Sequence, residues 1–291
     1  MTAAGFVSVV GRPNVGKSTL VNALVGDKVA ITSPRPQTTR NTIRGVATNG
    51  ETQVVLVDTP GLHKPRNALG ERLNTLVYGS ISEADAALFV LDAEQPIGPG
   101  DRLIAERLAR SQAPVVVAVN KTDRASQGEI LGQLSRAGEW GFHAFVPISA
   151  LRGDGIEALR GELVPLMPEG PFFFPPDMSS DQPDRLLAAE RIREKYLARL
   201  REELPHSLAV VVDDIEERDN GSLYIAASVY VERASQKGMV IGKGGELIKA
   251  VGSETRTELE LLFGVPIFLD LRAKVERDWQ RKDETLDRLG F

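Results

Sequence analysis

The stretch Gly11, Arg12, Pro13, Asn14, Val15, Gly16, Lys17, Ser18 fits the pattern G-x-x-x-x-G-K-[ST] at every fixed position. Its chemistry is that of a phosphate cradle. Glycines let backbone N–H groups wrap around phosphate oxygens, and a helix opening at Lys17 adds partial positive charge. Lys17 reaches the outer phosphates, and the Ser18 hydroxyl, with Thr19 behind it, is placed for Mg²⁺. A glycine-rich turn before a helix is the plainer alternative for this loop taken alone.

Three further stretches favour the phosphate reading. Asp58, Thr59, Pro60 and Gly61 follow an apolar run. There a carboxylate can hold a metal through water, and the Gly61 N–H can sense a third phosphate. Asn120, Lys121, Thr122 and Asp123 end a later run. A carboxylate at Asp123 accepts from both the N1–H and the 2-amino group of guanine. Adenine lacks that donor pair and would strand a buried acceptor, a mismatch worth about 10⁴-fold or more. Ser149 and Ala150 close the last run, where the Ala150 N–H is expected to meet guanine O6.

A second glycine loop lies near the other end: Gly242, Lys243, Gly244, Gly245. It lacks the G-K-[ST] ending of the first. It matches G-x-x-G, the clamp by which a KH domain grips about four nucleotides of single-stranded nucleic acid through their backbone. Missing side chains allow close approach of sugar-phosphate to the helix ends. Lys243, Lys237 and Lys249 supply charge, and the apolar residues of 238–242 and 246–252 are expected to form a groove for bases.

These loops need elements to hold them. Residues 6–10, 43–48, 52–58, 86–93, 114–121 and 143–150 read as strands. Helical patterns separate them except across Asn49-Gly50, where a tight hairpin is expected. Alternating strands and helices predict an α/β fold with a mostly parallel sheet and one antiparallel edge. The grammar stops near Met167. Residues 168–184 carry five prolines and read as a linker. From Arg185 the order is a long helix over 185–204, two strands, a helix, the G-x-x-G turn, a helix over 246–263, a strand and a charged tail. That is a smaller α+β domain of KH type II. The expected division is 1–167, 168–184 and 185–291.

Composition sets outer limits. At 291 residues there is room for about two domains. There are no cysteines, which removes thiolate metal sites, disulfides and cysteine nucleophiles. His63, His143 and His206 lie at no metal-ligand spacing. A net charge of −5, from 35 basic and 40 acidic residues, argues against general coating of nucleic acid. The start shows no signal-peptide pattern, and no apolar run approaches the roughly 20 residues of a membrane-spanning helix.

With these residues in view, the chain resembles the translation-factor class of GTPases and, more closely, the bacterial Era GTPases. The segments 11–26, 37–41, 58–65, 120–123 and 231–245 carry that resemblance as they stand. It implies a GTPase that binds GTP and GDP with Mg²⁺. It also implies binding at the 3′ end of small-subunit ribosomal RNA and action in small ribosomal subunit assembly. Gln37 to Asn41 is similar to a first switch loop, in which Thr38 or Thr39 would close over Mg²⁺. The implied metal set is Ser18, Asp58 and one of those threonines. The implied nucleotide set runs over residues 11–19 and 58–62, with Asn120, Lys121, Asp123, Ser149 and Ala150. Leu62 stands where Ras-like proteins carry a water-orienting glutamine; an apolar side chain cannot align water, so slow intrinsic hydrolysis, or help from elsewhere, is expected. Asn14 is similar to asparagines that hold K⁺ in some GTPases, and its other reading is that it only shapes the loop. Lys17, Asn14, Gly61 and the threonine pair are thus the residues expected to act on the reaction. A cytoplasmic monomer with peripheral contact at the inner face of the cell membrane is also implied. Two rival readings are weaker. A GTPase driving covalent RNA modification lacks a second catalytic constellation. An RNA-binding module with a degenerate GTPase half would be free to lose Lys17, Ser18, Asp58 and Asp123.

Overall fold

The structure, a computed structural model, describes residues 1–35, 37–62, 64–65 and 67–291. His63, one of the three histidines considered above, lies outside the described residues. By contact the chain divides into two compact units: Met1–Arg66 with Gly70–Asp181, and Asn67–Leu69 with Gln182–Phe291.

The first unit is built on strands β1 (Ala3–Val10), β2 (Ile43–Asn49), β3 (Thr52–Asp58), β4 (Ala86–Asp92), β5 (Val115–Asn120) and β6 (Ala144–Pro147). Their order in the sheet is β2-β3-β1-β4-β5-β6. Every pairing is parallel except β2 with β3, the antiparallel edge. Helices α1 (Lys17–Val25), α2 (Ala68–Glu83), α3 (Pro99–Leu108), α4 (Gln127–Gly138) and α5 (Ile156–Leu163) connect them. Every residue of β4 and β5 is buried. Two apolar clusters explain this: α1 and α5 pack through Leu20, Leu24 and Leu159 on one side, α2, α3 and α4 through Val77, Ile104 and Ala137 on the other. Strands covered on both faces are written as unbroken apolar runs, which is why the periodicity was readable.

The hairpin turn sits one residue later than the Asn-Gly pair suggests. Asn49 pairs with Thr52, so Gly50 and Glu51 are the central residues. Of these only Gly50 has positive φ, 58°. That is the type II′ pattern, with glycine at the first central position.

The proline-rich stretch is fastened along the first unit. The side chain of Gln53, fully buried, accepts from the N–H groups of Phe173 (2.9 Å) and Phe174 (3.0 Å) and donates to the Phe174 carbonyl (2.9 Å). Phe173 packs its ring on Phe6 at 4.8 Å. Further along, the Val46 N–H donates to the Ser179 carbonyl (2.8 Å) and Ser180 Oγ to the Arg44 carbonyl (2.7 Å). Residues 179 and 180 thereby occupy edge groups of β2 that would otherwise stand open. All these bonds run backward, so the contact boundary falls at Asp181 and not within the proline run.

The second unit holds α6 (Asp184–Arg199), α7 (Leu204–Ser207), β7 (Ala209–Glu217), β8 (Leu223–Val231), α8 (Ala234–Ile241), α9 (Glu246–Phe263), β9 (Ile267–Val275) and α10 (Asp283–Leu289). Its sheet runs β7-β8-β9, antiparallel then parallel. The long helix expected over 185–204 ends five residues early. Leu200 turns extended at ψ 151°, and Pro205 then opens the short α7. Ala188, Ile192, Tyr196, Leu200 and Leu204 all join one core at four-residue spacing, so the apolar stripe runs straight across the break. The charged tail is packed: Trp279 is fully buried, donates Nε1–H to the Ser207 carbonyl (3.0 Å) and stacks on Phe291 at 5.4 Å.

Candidate nucleotide and nucleic-acid sites

The first glycine loop leaves β1 and enters α1 through Gly16, whose φ is 97°. A Cβ on Gly16 would lie 2.3 Å from Asn120 Nδ2, and one on Gly61 would lie 2.6 Å from the Pro13 nitrogen. Close approach fixes both glycines, and at Gly16 the positive φ does so as well. Asn120 Nδ2 donates to the Val15 carbonyl (2.8 Å), tying the end of β5 to the loop. Thr59 Oγ1 donates to the Val9 carbonyl (2.7 Å), and the Leu62 N–H to the Gly11 carbonyl (3.3 Å). Pro60 and Thr59 are buried.

The resulting cleft is lined by Pro13, Asn14, Gly16, Lys17, Ser18, Thr19, Thr38, Thr39 and Gly61, and also by Thr32, Ser33, Arg35 and Gln37. Lys17 is buried and donates to the carbonyls of Gly11 (3.2 Å) and Arg12 (3.1 Å). Burial pushes its ammonium down to about 8, with the Asp58 carboxylate opposing. Ser18 Oγ donates to Asp58 Oδ2 at 2.7 Å, Thr39 Oγ1 donates to the same oxygen at 3.1 Å, and the two hydroxyls are 2.9 Å apart. Three oxygen groups gathered this closely suit a hard divalent cation such as Mg²⁺. Thr38 is elsewhere: its hydroxyl donates to the Arg35 carbonyl at 2.7 Å. The structure thus brings Thr39, and not Thr38, to the metal-type cluster. Among the described residues no group of three His, Cys, Asp or Glu forms any other candidate metal site.

Four expected nucleotide residues are placed differently from the simplest reading. The Arg12 side chain does not line the cleft; its Nε donates to Asp101 Oδ1 at 2.8 Å. The Leu62 side chain joins the core with Val77 and Phe89. Lys121, at φ 69°, pairs its ammonium with Asp92 at 2.6 Å. The Ala150 N–H, expected to stand open for guanine O6, donates to Asn120 Oδ1 at 3.0 Å. Meeting O6 therefore requires this donor to be shared or re-aimed. Ser149 Oγ donates to Asp123 Oδ1 at 2.7 Å, and that bond keeps the Asp123 carboxyl below the usual carboxylate range. Asn14 is exposed at the cleft with φ 65°, a conformation asparagine tolerates better than most residues.

In the second unit the clamp joins α8 to α9. Gly242, Gly244 and Gly245 have φ of 77°, 60° and 81°. A Cβ on Gly242 would lie 2.8 Å from the Leu247 Cβ, whereas Gly244 faces open space. Lys237, Lys243 and Lys249 are exposed, and the Lys249 stem runs beside Gly245. The apolar flanks split. Val240 and Val251 are fully buried core residues, while Met239 is exposed and Ile241, Leu247 and Ile248 are half-buried. A groove floor can come only from the latter group.

A family model described as "50S ribosome-binding GTPase" matches residues 6–121, and one described as "KH domain" matches residues 203–280. A GTPase Era from Streptomyces coelicolor is 49% identical over 300 residues, covering 99% of this chain and 95% of the relative. One from Mycobacterium bovis is 48% identical over 296 residues, covering 99% and 98%. A solved structure of Era in complex with MgGDPNP and nucleotides 1506–1542 of 16S ribosomal RNA is similar at a TM-score of 0.96 and 38% identity, covering 100% of this chain and 99% of that one. Era from Aquifex aeolicus bound to GDP·AlF4⁻ is similar at 0.96 and 38%, covering 99% of each chain.

Sheet order, phosphate loop and glycine clamp define a P-loop GTPase with a C-terminal KH domain. Near full-length identity then narrows the class to one family. The chain belongs to the Era GTPases.

Proposed function

We propose that this chain is a GTP-driven switch that binds the 3′ end of small-subunit ribosomal RNA through its KH domain and acts in small-subunit assembly. The observation that carries the nucleotide half is the convergence of Ser18, Thr39 and Asp58 beside Lys17. The RNA half rests on the exposed glycine clamp and on the Era structure solved with a 16S segment. The broad GTPase description names the large subunit instead. The 16S reading is preferred because that similarity spans the KH domain as well.

In this reading the loop N–H groups and Lys17 orient the phosphates. Ser18 and Thr39 hold Mg²⁺ directly and Asp58 holds it through water; the ion, when bound, neutralises charge on the β- and γ-phosphates. The Gly61 N–H meets the γ-phosphate. Hydrolysis removes the contacts that hold Gly61 and Thr39, which frees their loops. Leu62 is committed to the core, so no side chain at that position orients the attacking water and intrinsic turnover is slow. Asn14, exposed at the cleft, would hold K⁺ in this proposal, and the ion would supply charge where an arginine finger otherwise acts. Turnover in K⁺ buffer is expected to exceed that in Na⁺ by about tenfold or more. Asn14→Ala is expected to abolish the difference, and equal wild-type rates in the two salts would remove the ion from the mechanism.

Coupling predicts that RNA affinity depends on the nucleotide. Dissociation constants for a single-stranded 16S 3′ segment are expected to differ about tenfold between GDP and a non-hydrolysable GTP analogue. Lys243→Glu is expected to weaken both, since a carboxylate replaces a phosphate partner. Equal constants in the two nucleotide states defeat the switch. Unchanged binding by Lys243→Glu defeats the clamp. The family resemblance alone supports a cytoplasmic monomer with peripheral membrane contact. Among the described residues no helix is long and apolar enough to cross a membrane.

A further inference from the structure

Arg12 lies inside the phosphate loop, yet its guanidinium is directed to α3. The receiving carboxylate is Asp101, whose side chain is fully buried. Its two oxygens have separate tasks. Oδ2 accepts the Gly98 N–H at 2.9 Å and caps the start of α3; Oδ1 accepts Arg12 Nε at 2.8 Å. The cap needs only one acceptor. The neighbouring residue is Gly100, where a Cβ would come within 3.1 Å of the Arg12 Cδ. Capping carboxylate and missing side chain together form a seat shaped for Arg12.

Arg12 sits between the two residues on which the Asp58–Leu62 segment docks. Gly11 accepts the Leu62 N–H at 3.3 Å, and Pro13 lies so close under Gly61 that a Cβ there would meet its nitrogen at 2.6 Å and its Cα at 2.7 Å. The Arg12 carbonyl also receives Lys17 at 3.1 Å. Anchoring Arg12 therefore anchors the platform on which the γ-phosphate sensor rests.

We infer that Asp101 is a positioning residue for triphosphate recognition: through Arg12 it holds Pro13 where Gly61 must close on the γ-phosphate. The inference rests on the nucleotide reading above. GDP has no γ-phosphate, so its binding depends far less on that closure. A group that merely stabilised the fold would affect both nucleotides alike.

Asp101→Asn separates the two tasks. The amide oxygen can keep the cap on Gly98, while its Nδ2 faces the Arg12 donor and the ion pair is lost. Affinity for a non-hydrolysable GTP analogue is expected to fall about tenfold, with GDP affinity changed less than about twofold, in line with loss of one charged hydrogen bond. Arg12→Met breaks the pair from the other side and is expected to give the same selective loss, so the question stays decidable if one variant folds poorly. The double variant Asp101→Asn with Arg12→Gln is expected to recover triphosphate affinity. Gln Oε1 falls where Arg Nε was, and it can accept from the new amide. Equal losses for both nucleotides, no loss for either, or failure of the double variant to recover would each overturn the inference. Wild-type protein that binds no GTP would instead overturn the nucleotide reading itself.

Discussion

Asp123→Asn is expected to lower affinity for GTP by about 10⁴-fold and to confer a preference for xanthosine triphosphate. The argument is one of donors and acceptors. Guanine presents an N1–H and a 2-amino group, both donors, to a carboxylate that only accepts. An amide keeps one acceptor and adds a donor, which meets the 2-amino group head-on. Xanthine has a carbonyl at that position, so the same amide is matched at both atoms. The structure favours this outcome over simple loss of the site. Ser149 Oγ donates to Asp123 Oδ1 at 2.7 Å, and an amide oxygen can accept it unchanged. The loop beyond is held independently by the Arg152 N–H on Ser149 Oγ at 3.2 Å. Competition binding with GTP, ATP and xanthosine triphosphate reads the result. A gain for ATP, or GTP affinity left intact, would show that Asp123 does not read the base.

Asp123 was legible in the sequence because its task is set by functional groups, which residue types announce. The same holds for Gly16 and Gly61, whose absent side chains answer close approaches of 2.3 Å and 2.6 Å. The sheet was legible because β4 and β5 are buried on both faces. What stayed hidden depends on the path of the chain. Thr38 and Thr39 are chemically alike; only the course of their loop turns Thr39 to Ser18 and leaves Thr38 on Arg35. The Arg12–Asp101 pair spans 89 positions and obeys no short spacing. The end of α6 escaped because the apolar stripe continues at helical spacing through Leu200 and Leu204. The engagement of the Ala150 N–H by Asn120 escaped because main-chain donors have no residue code. Periodicity reports which face is buried, and motifs report which groups are required. Neither reports which of two equivalent groups a loop delivers.

Lys17→Met is expected to reduce triphosphate affinity by about 10³-fold, because the buried ammonium that meets the outer phosphates is replaced by a neutral chain of similar length. The wild-type protein carries a second signature of the same residue. In the free state burial holds the Lys17 ammonium down at about 8. Bound phosphates stabilise the charged form and raise it. Binding therefore takes up a proton between the two values, and affinity is expected to be level below about pH 8 and to fall about tenfold per pH unit above it. Folding stability should move the other way. An unfolded lysine titrates near 10.4, so between about pH 8 and 10 the unfolded chain holds more protons than the folded one. Stability of the nucleotide-free protein then gains from rising pH across that window, by a contribution on the order of 3 kcal/mol once Lys17 is neutral in both states. Lys17→Met should lose both slopes together. Measurement between about pH 7.5 and 8.5, where guanine N1 stays largely protonated, tests the pair. Affinity and stability that fall in parallel, or slopes that survive in Lys17→Met, would place the titrating group elsewhere. Opposite slopes that vanish together would assign one buried ammonium both an energetic cost in the empty loop and a phosphate partner in the filled one.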